Sequence, residues 1–144
     1  MSEEIVRRSK QIIVIRKDLK MRRGKEVAQG SHASMGALLN KMSRCIHVVP
    51  KSEEYGVARC LNFMSTSAMF DWIENSFTKI CVYVNSEQEL VDLHFAAVQA
   101  SLPNCLITDS GATEFHGVPT KTALAIGPAW DDELKPLTGH LPLL

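Results

Sequence analysis

The stretch Lys20 to Ser34, K-M-R-R-G-K-E-V-A-Q-G-S-H-A-S, follows the apolar run Gln11 to Arg16 (Q-I-I-V-I-R) and opens a helical pattern. A strand, a basic turn containing Gly24 and a helix make a corner suited to anions, because the free N–H groups at a helix start attract negative charge. Lys25 stands at that start. Gln29 and His32 follow at spacings of four and three, which places all three on one helical face. Val27, Met35, Leu38 and Met42 form a separate apolar stripe, about 120° around the helix. The pattern predicts that this stripe packs while the other face presents an amine, an amide and an imidazole. Taken alone, the polar face reads more readily as a solvated stripe.

A second segment adds weight to the first. Asp109 to Thr113 reads D-S-G-A-T, follows the apolar Cys105, Leu106 and Ile107, and leads into H-G-V-P-T-K-T-A-L-A-I-G-P. An acidic residue closing a strand, beside a glycine turn and two threonines, is a common way for open α/β sheets to place working groups.

Outward from these two segments the chain alternates strands and helices. Residues 1 to 10 read as a flexible polar arm, and residues 11 to 144 as one domain. Strands are expected at Gln11–Arg16, Lys79–Asn85, Asn104–Asp109 and Lys121–Ile126, with Gly127-Pro128 as a stop. Helices are expected from Gly24 to about Met42, over Ser67–Phe77, from Ser86 to about Ser101, and over Asp131–Leu137. Ser86 with Glu89 resembles a capping box. Ser43 to Thr66 is ambiguous, since Val48-Val49-Pro50 breaks any helix and Lys51 to Tyr55 looks exposed. The alternation predicts an α/β fold: a three-layer α/β/α domain with a central mixed, mostly parallel sheet of about four strands. Only about eleven residues separate the last two strands, too few for a helical crossover, so that pair is expected to be antiparallel.

Four blocks in this order resemble the archaeal- and eukaryotic-type (class II) peptidyl-tRNA hydrolases. They are D-L-K-M-x-x-G-K-x-x-A-Q-x-x-H-A at Asp18 to Ala33, D-x-G-x-T at Asp109 to Thr113, T-x-L-x-I-G-P at Thr122 to Pro128, and T-G-H-L-x-L-L at Thr138 to Leu144. Several blocks across most of a chain are more specific than one short motif. Lys41 to Thr66 falls outside the resemblance and looks longer than usual. Phe77 to Lys79 departs from the glycine-proline approach often found there.

The resemblance implies hydrolysis of the ester joining a peptide to the 3′ end of tRNA, releasing tRNA for reuse in translation and in ribosome rescue. It implies a catalytic set of Lys25, Asp109 and Thr113, with Gln29, His32 and Thr122 binding substrate or supporting them. Lys25 would supply positive charge, and Asp109 would pair with it and position or deprotonate water. A nearby ammonium lowers a carboxyl pKa, which favours water positioning over strong base chemistry. Lys25 and Asp109 are therefore expected within roughly 8 Å of each other, about a Debye length. A noncatalytic tRNA- or protein-binding member of the same fold is the alternative. A hydrolase of another acylated substrate is a third reading.

Formal net charge is zero, yet its distribution is uneven. Residues 1 to 25 carry nine Lys/Arg and three Asp/Glu, whereas residues 26 to 144 carry seven and thirteen. Arg16, Lys17, Lys20, Arg22, Arg23 and Lys25 would surround the strand-to-helix corner. Lys20, Arg22 and Arg23 are the expected phosphate contacts. Peptidyl-tRNA is the expected partner, a homodimer is compatible, and no membrane partner is expected because no apolar run reaches the roughly 20 residues needed to cross a bilayer.

The N-terminus lacks a secretory pattern, and Cys45, Cys60, Cys81 and Cys105 are widely spaced, which reads as free thiols in a cytoplasmic protein. No metal is expected, since His47, His94, His116 and His140 show no ligand spacing. No organic cofactor is expected either. R-R-G-K at Arg22 to Lys25 lacks the first glycine and the following Ser/Thr of an NTP-binding loop, and no G-x-S-x-G occurs.

Overall fold

The computed structural model describes residues 6–144. Four strands form the central sheet: β1 (Ser9–Arg16), β4 (Lys79–Val84), β5 (Asn104–Asp109) and β6 (Thr120–Trp130), in the order β4-β1-β6-β5. β1 and β4 are parallel, while β6 is antiparallel to both β1 and β5. The sheet is thus mixed but not mostly parallel, as only one of its three pairings is parallel. The reason is local. Residues 110–119 contain no helix to carry a crossover, so β6 turns back and inserts between β1 and β5.

The expected arm at residues 1–10 is covered only in part. Met1 to Ile5 lie outside the described residues, and Ser9 and Lys10 already pair with Trp130 and Ala129. β6 also runs past its expected stop at Gly127-Pro128. It absorbs them where the β1–β6 register shifts between Lys10 and Ile12, with Gly127 at φ +102°. Only a residue without a side chain fits there, since a Cβ would lie 2.8 Å from the Lys10 carbonyl oxygen.

Alternation along β1 feeds two cores. Ile12 and Val14, with Leu124 and Ile126 of β6, pack under α3 (Glu87–Gln99) and α4 (Asp131–Thr138) through Leu90, Ala97 and Leu134. Ile13 and Ile15, with Ala123 and Ala125, pack under α1 (Arg23–Leu39) through Ala33 and Ala37. Helices on both faces complete the layered α/β architecture. Ser86 caps α3 by accepting from the Glu89 N–H, as the sequence pattern predicts, while Glu89 Oε2 accepts at 2.7 Å from the N–H of Asn85, one residue before the N-cap, and not from the Ser86 N–H of a full capping box.

α1 does not pack through its expected stripe. Val27 and Met35 are 64% and 56% exposed, and the buried face is Gln29, Gly30, Ala33 and Ala37. The helix lies too close to the sheet for larger side chains. A Cβ at Gly30 would sit 3.3 Å from Ile13 Cγ2, and one at Gly36 only 2.5 Å from Cys105 Sγ. Val27, Met35 and Leu38 instead line an open groove with Trp72 and Phe77. Trp72 follows the short α2 (Ala68–Asp71) and is almost fully buried, donating its indole N–H to the Thr78 carbonyl oxygen at 2.7 Å.

The ambiguous segment after α1 forms a two-stranded antiparallel hairpin, β2 (Ser43–Val48) and β3 (Tyr55–Cys60), separate from the central sheet. The four cysteines are unpaired, as expected; Cys45, Cys60 and Cys81 are exposed and Cys105 is half-buried. Among the described residues, no helix is long and apolar enough to cross a membrane.

Candidate active site

The corner predicted from the sequence closes where β1 and β5 end and α1 begins. β1 hands the chain to a short turn of 3-10 helix (Lys17–Leu19), after which Lys20 takes a left-handed conformation at φ +51° and α1 begins at Arg23. Lys25, in the first turn of α1, reaches across to Asp109 at the last position of β5. Its Nζ donates to Asp109 Oδ1 at 2.9 Å and to Thr113 Oγ1 at 2.9 Å. Residues 84 and 88 positions away in sequence are thus joined at one ammonium group. The separation lies well inside the expected 8 Å.

Asp109 is held from three directions. Besides Lys25, the Gln29 amide donates to Oδ1 at 3.3 Å and the Gly111 backbone N–H donates to Oδ2 at 2.9 Å. Hydrogen bonding from Lys25 and then from Gly111 holds the Asp109 pKa below the usual carboxylate range, against the opposing effect of partial burial. The Lys25 and Asp109 side chains are 14% and 13% exposed, so the pair is mostly enclosed yet still reaches solvent.

Gln29 is itself oriented. Thr122, fully buried on β6, donates its hydroxyl proton to Gln29 Oε1. With that oxygen engaged, the amide nitrogen of Gln29 is left to face Asp109. Gly111 shapes the turn that carries Thr113. Its φ is +83°, and a Cβ there would fall 2.3 Å from the Val118 carbonyl oxygen, so only glycine fits. The same turn brings the Phe115 ring to 5.8 Å from Lys25 Nζ.

Five of the expected residues therefore converge: Lys25, Gln29, Asp109, Thr113 and Thr122. His32 does not join them. It is exposed, and among the described residues no hydrogen bond ties it to the network. The basic residues divide as well. Arg22 is 90% exposed, with its Nε 3.9 Å from Glu114 beside the site. Lys20 is exposed, and Arg23 borders the apolar groove on the other flank of α1.

Arg16 turns inward instead of joining the basic corner. It grips Asp18 through two hydrogen bonds and donates to the Lys121 carbonyl oxygen at 3.0 Å, next to Thr122. The spacing R-x-D at Arg16 to Asp18 was the available sequence signal for that clamp. Gly111 as a backbone donor and Phe115 as a neighbour of Lys25 carried no such signal.

The family model described as peptidyl-tRNA hydrolase PTH2 matches residues 9–144, which is nearly the whole chain. The chain belongs to this family. Its members are ester hydrolases acting on peptidyl-tRNA, and the five converging residues lie in the blocks that carry the resemblance. The chain is 36% identical to the peptidyl-tRNA hydrolase of Methanocaldococcus jannaschii over 135 residues, covering 94% of this chain and 99% of that protein. It is likewise 36% identical to the enzyme of Methanopyrus kandleri, covering 94% and 97%. A probable peptidyl-tRNA hydrolase 2 of Drosophila melanogaster is 35% identical over 94% of this chain but only 61% of its own length.

Proposed function

We propose that Lys25, Asp109 and Thr113 are the groups with which this peptidyl-tRNA hydrolase cleaves the ester between a peptide and the 3′ end of tRNA. The observation that carries the reading is the convergence of all three at one largely enclosed ammonium. In ester hydrolysis, negative charge develops on the carbonyl oxygen as water attacks. Lys25 is the cation at hand to stabilise that oxyanion. Asp109, with its pKa held down, is ionised at neutral pH. It serves as an acceptor that orients the attacking water and holds the Lys25 ammonium in place.

Thr113 accepts from Lys25, which leaves its own O–H to donate to water or to a substrate oxygen. Gln29 and Thr122 act one step back by fixing the direction of the Asp109 carboxylate. Lys20 and Arg22, with Arg23 on the far flank of the helix start, hold tRNA phosphates around the corner. Residues 11–144 form the unit that carries this chemistry.

The test is release of the acyl group from N-blocked aminoacyl-tRNA compared with free aminoacyl-tRNA. Selective cleavage of the blocked substrate, lost in Lys25→Ala and Asp109→Ala variants that still fold, is the expected result. Wild-type turnover in either variant would remove that residue from the reacting set.

A further inference from the structure

Beyond the corner at the start of α1, one feature of the surface is unexplained by the chemistry above. The β2–β3 hairpin stands apart from the central sheet at the other end of α1, and all six residues of β2 are exposed. Its register pairs Arg44 with Arg59, Ile46 with Val57, and Val48 with Tyr55. Because side chains alternate along strands, these six share one face. On that face Val48 is 81%, Tyr55 68% and Ile46 64% exposed.

Two arginines directly opposite one another repel, and such a pair destabilises a hairpin unless an anion lies between them. Among the described residues neither is within ion-pair distance of a carboxylate. A lone two-stranded hairpin is also only marginally stable in water, so this face is suited to being covered.

Charge partition favours RNA as the covering partner. After residue 25 the chain has only two arginines, and both are in this hairpin. Residues 41–60 hold four Lys/Arg against two Asp/Glu, whereas residues 61–144 hold three against ten. Excess positive charge is thereby concentrated at the two ends of α1 on an otherwise acidic protein. Seventeen helical residues at about 1.5 Å each set those ends roughly 25 Å apart. A tRNA whose 3′ ester lies at Lys25 is long enough to pass the hairpin as well.

We propose that the β2–β3 hairpin is a second tRNA-contact surface, in which Arg44 and Arg59 together hold backbone phosphate of the tRNA body. Tyr55 presents an exposed ring to a ribose or an unstacked base on the same face. This rests on the proposed placement of the ester at Lys25, but it is read by binding and not by cleavage.

The measurement is affinity for deacylated full-length tRNA between 50 and 200 mM salt, with Arg44→Gln/Arg59→Gln compared with wild type. Loss of two phosphate contacts should flatten the slope of log affinity against log salt by about 1.4–1.8. The deficit should therefore be about 7- to 12-fold larger at 50 mM than at 200 mM. Arg44→Lys/Arg59→Lys should keep the slope, which separates charge from hairpin folding, and thermal unfolding should match wild type in the lysine variant and be no lower than wild type in the glutamine variant, where the repulsion is relieved. An unchanged slope in the glutamine variant overturns the proposal. So does a wild-type dimer in sedimentation that this variant dissociates without altering the slope, which would make the face an interface between copies. Failure of wild type to cleave N-blocked aminoacyl-tRNA would instead strike the site at Lys25 and leave the binding result to judge the hairpin.

Discussion

The two ends of α1 treat positive charge in opposite ways. At its start, the Lys25 ammonium is largely enclosed and tied to Asp109 and Thr113, with Gln29 and Thr122 braced behind. Beyond its end, Arg44 and Arg59 sit exposed on a hairpin, with no carboxylate within ion-pair distance among the described residues. A cation fixed in a network has a defined direction and a partly desolvated setting, so it can act on charge that develops at one atom. A free surface cation gains little from any one geometry, but it still contributes through counterion release to binding a polyanion. The contrast separates chemistry from anchoring along one helix.

The largest effect should come from breaking the enclosed end. Lys25→Ala or Asp109→Ala should lower single-turnover release by about 10²–10³-fold, the range for removing one preorganised stabiliser of an oxyanion. Thr113→Val keeps the shape of the side chain but removes its hydroxyl. One hydrogen bond worth roughly 1–3 kcal/mol corresponds to about 5- to 150-fold in rate, with thermal stability close to wild type because Thr113 is exposed. Full activity would take Thr113 out of the catalytic group.

Acidification should probe the same end. A carboxyl whose folded pKa lies below its unfolded value of about 3.9 stabilises the fold above that value, and the contribution fades as pH falls through the folded pKa. For Asp109, whose pKa is lowered by Lys25 and Gly111, the wild type should lose this contribution only below the ordinary carboxylate range. Asp109→Asn should remove that component from an acid titration of stability. An acid profile identical in the two proteins would mean that the pair is not formed in solution.

Smaller effects are expected from the exposed basic side chains. Arg22→Gln/Arg23→Gln should weaken tRNA binding and flatten its salt dependence by about 1.4–1.8, with little change in rate at saturating substrate. His32→Ala should stay within about twofold of wild type in both binding and release, as expected for a surface change away from specific contacts. A large loss there would show that substrate draws the imidazole into the site.

Much of the site was legible because the informative residues are close in sequence. Lys25 and Gln29 share one helix, Asp109 and Thr113 share one turn, and each group closes an apolar strand. Their meeting follows from topology, since β5 lies beside β6 and α1 packs over both. Helical spacing puts His32 on the same face as Lys25 and Gln29, but a shared face does not ensure a shared contact, and His32 is exposed outside their hydrogen-bond network among the described residues.

The packing face of α1 was misread for a related reason. Large apolar residues at Val27 and Met35 suggested a core stripe, but the true seam is made of glycine and alanine, whose periodicity is easily overlooked. The direction of β6 was partly legible from the short connection before it. The hairpin was not. Its turn lacks a strong signal such as Asn-Gly, and its exposed apolar residues do not announce a strand that packs on no core.

The central claim is that Lys25 and Asp109 act as one unit, and a double-mutant cycle on single-turnover release from N-blocked aminoacyl-tRNA tests it most directly. Lys25→Ala, Asp109→Ala and the combined variant would be compared with wild type, with folding of each checked by thermal unfolding. A shared function predicts strong non-additivity, with the double variant about as slow as the slower single one. Losses that multiply as for independent sites, or near-wild-type release from either single variant, would contradict the account.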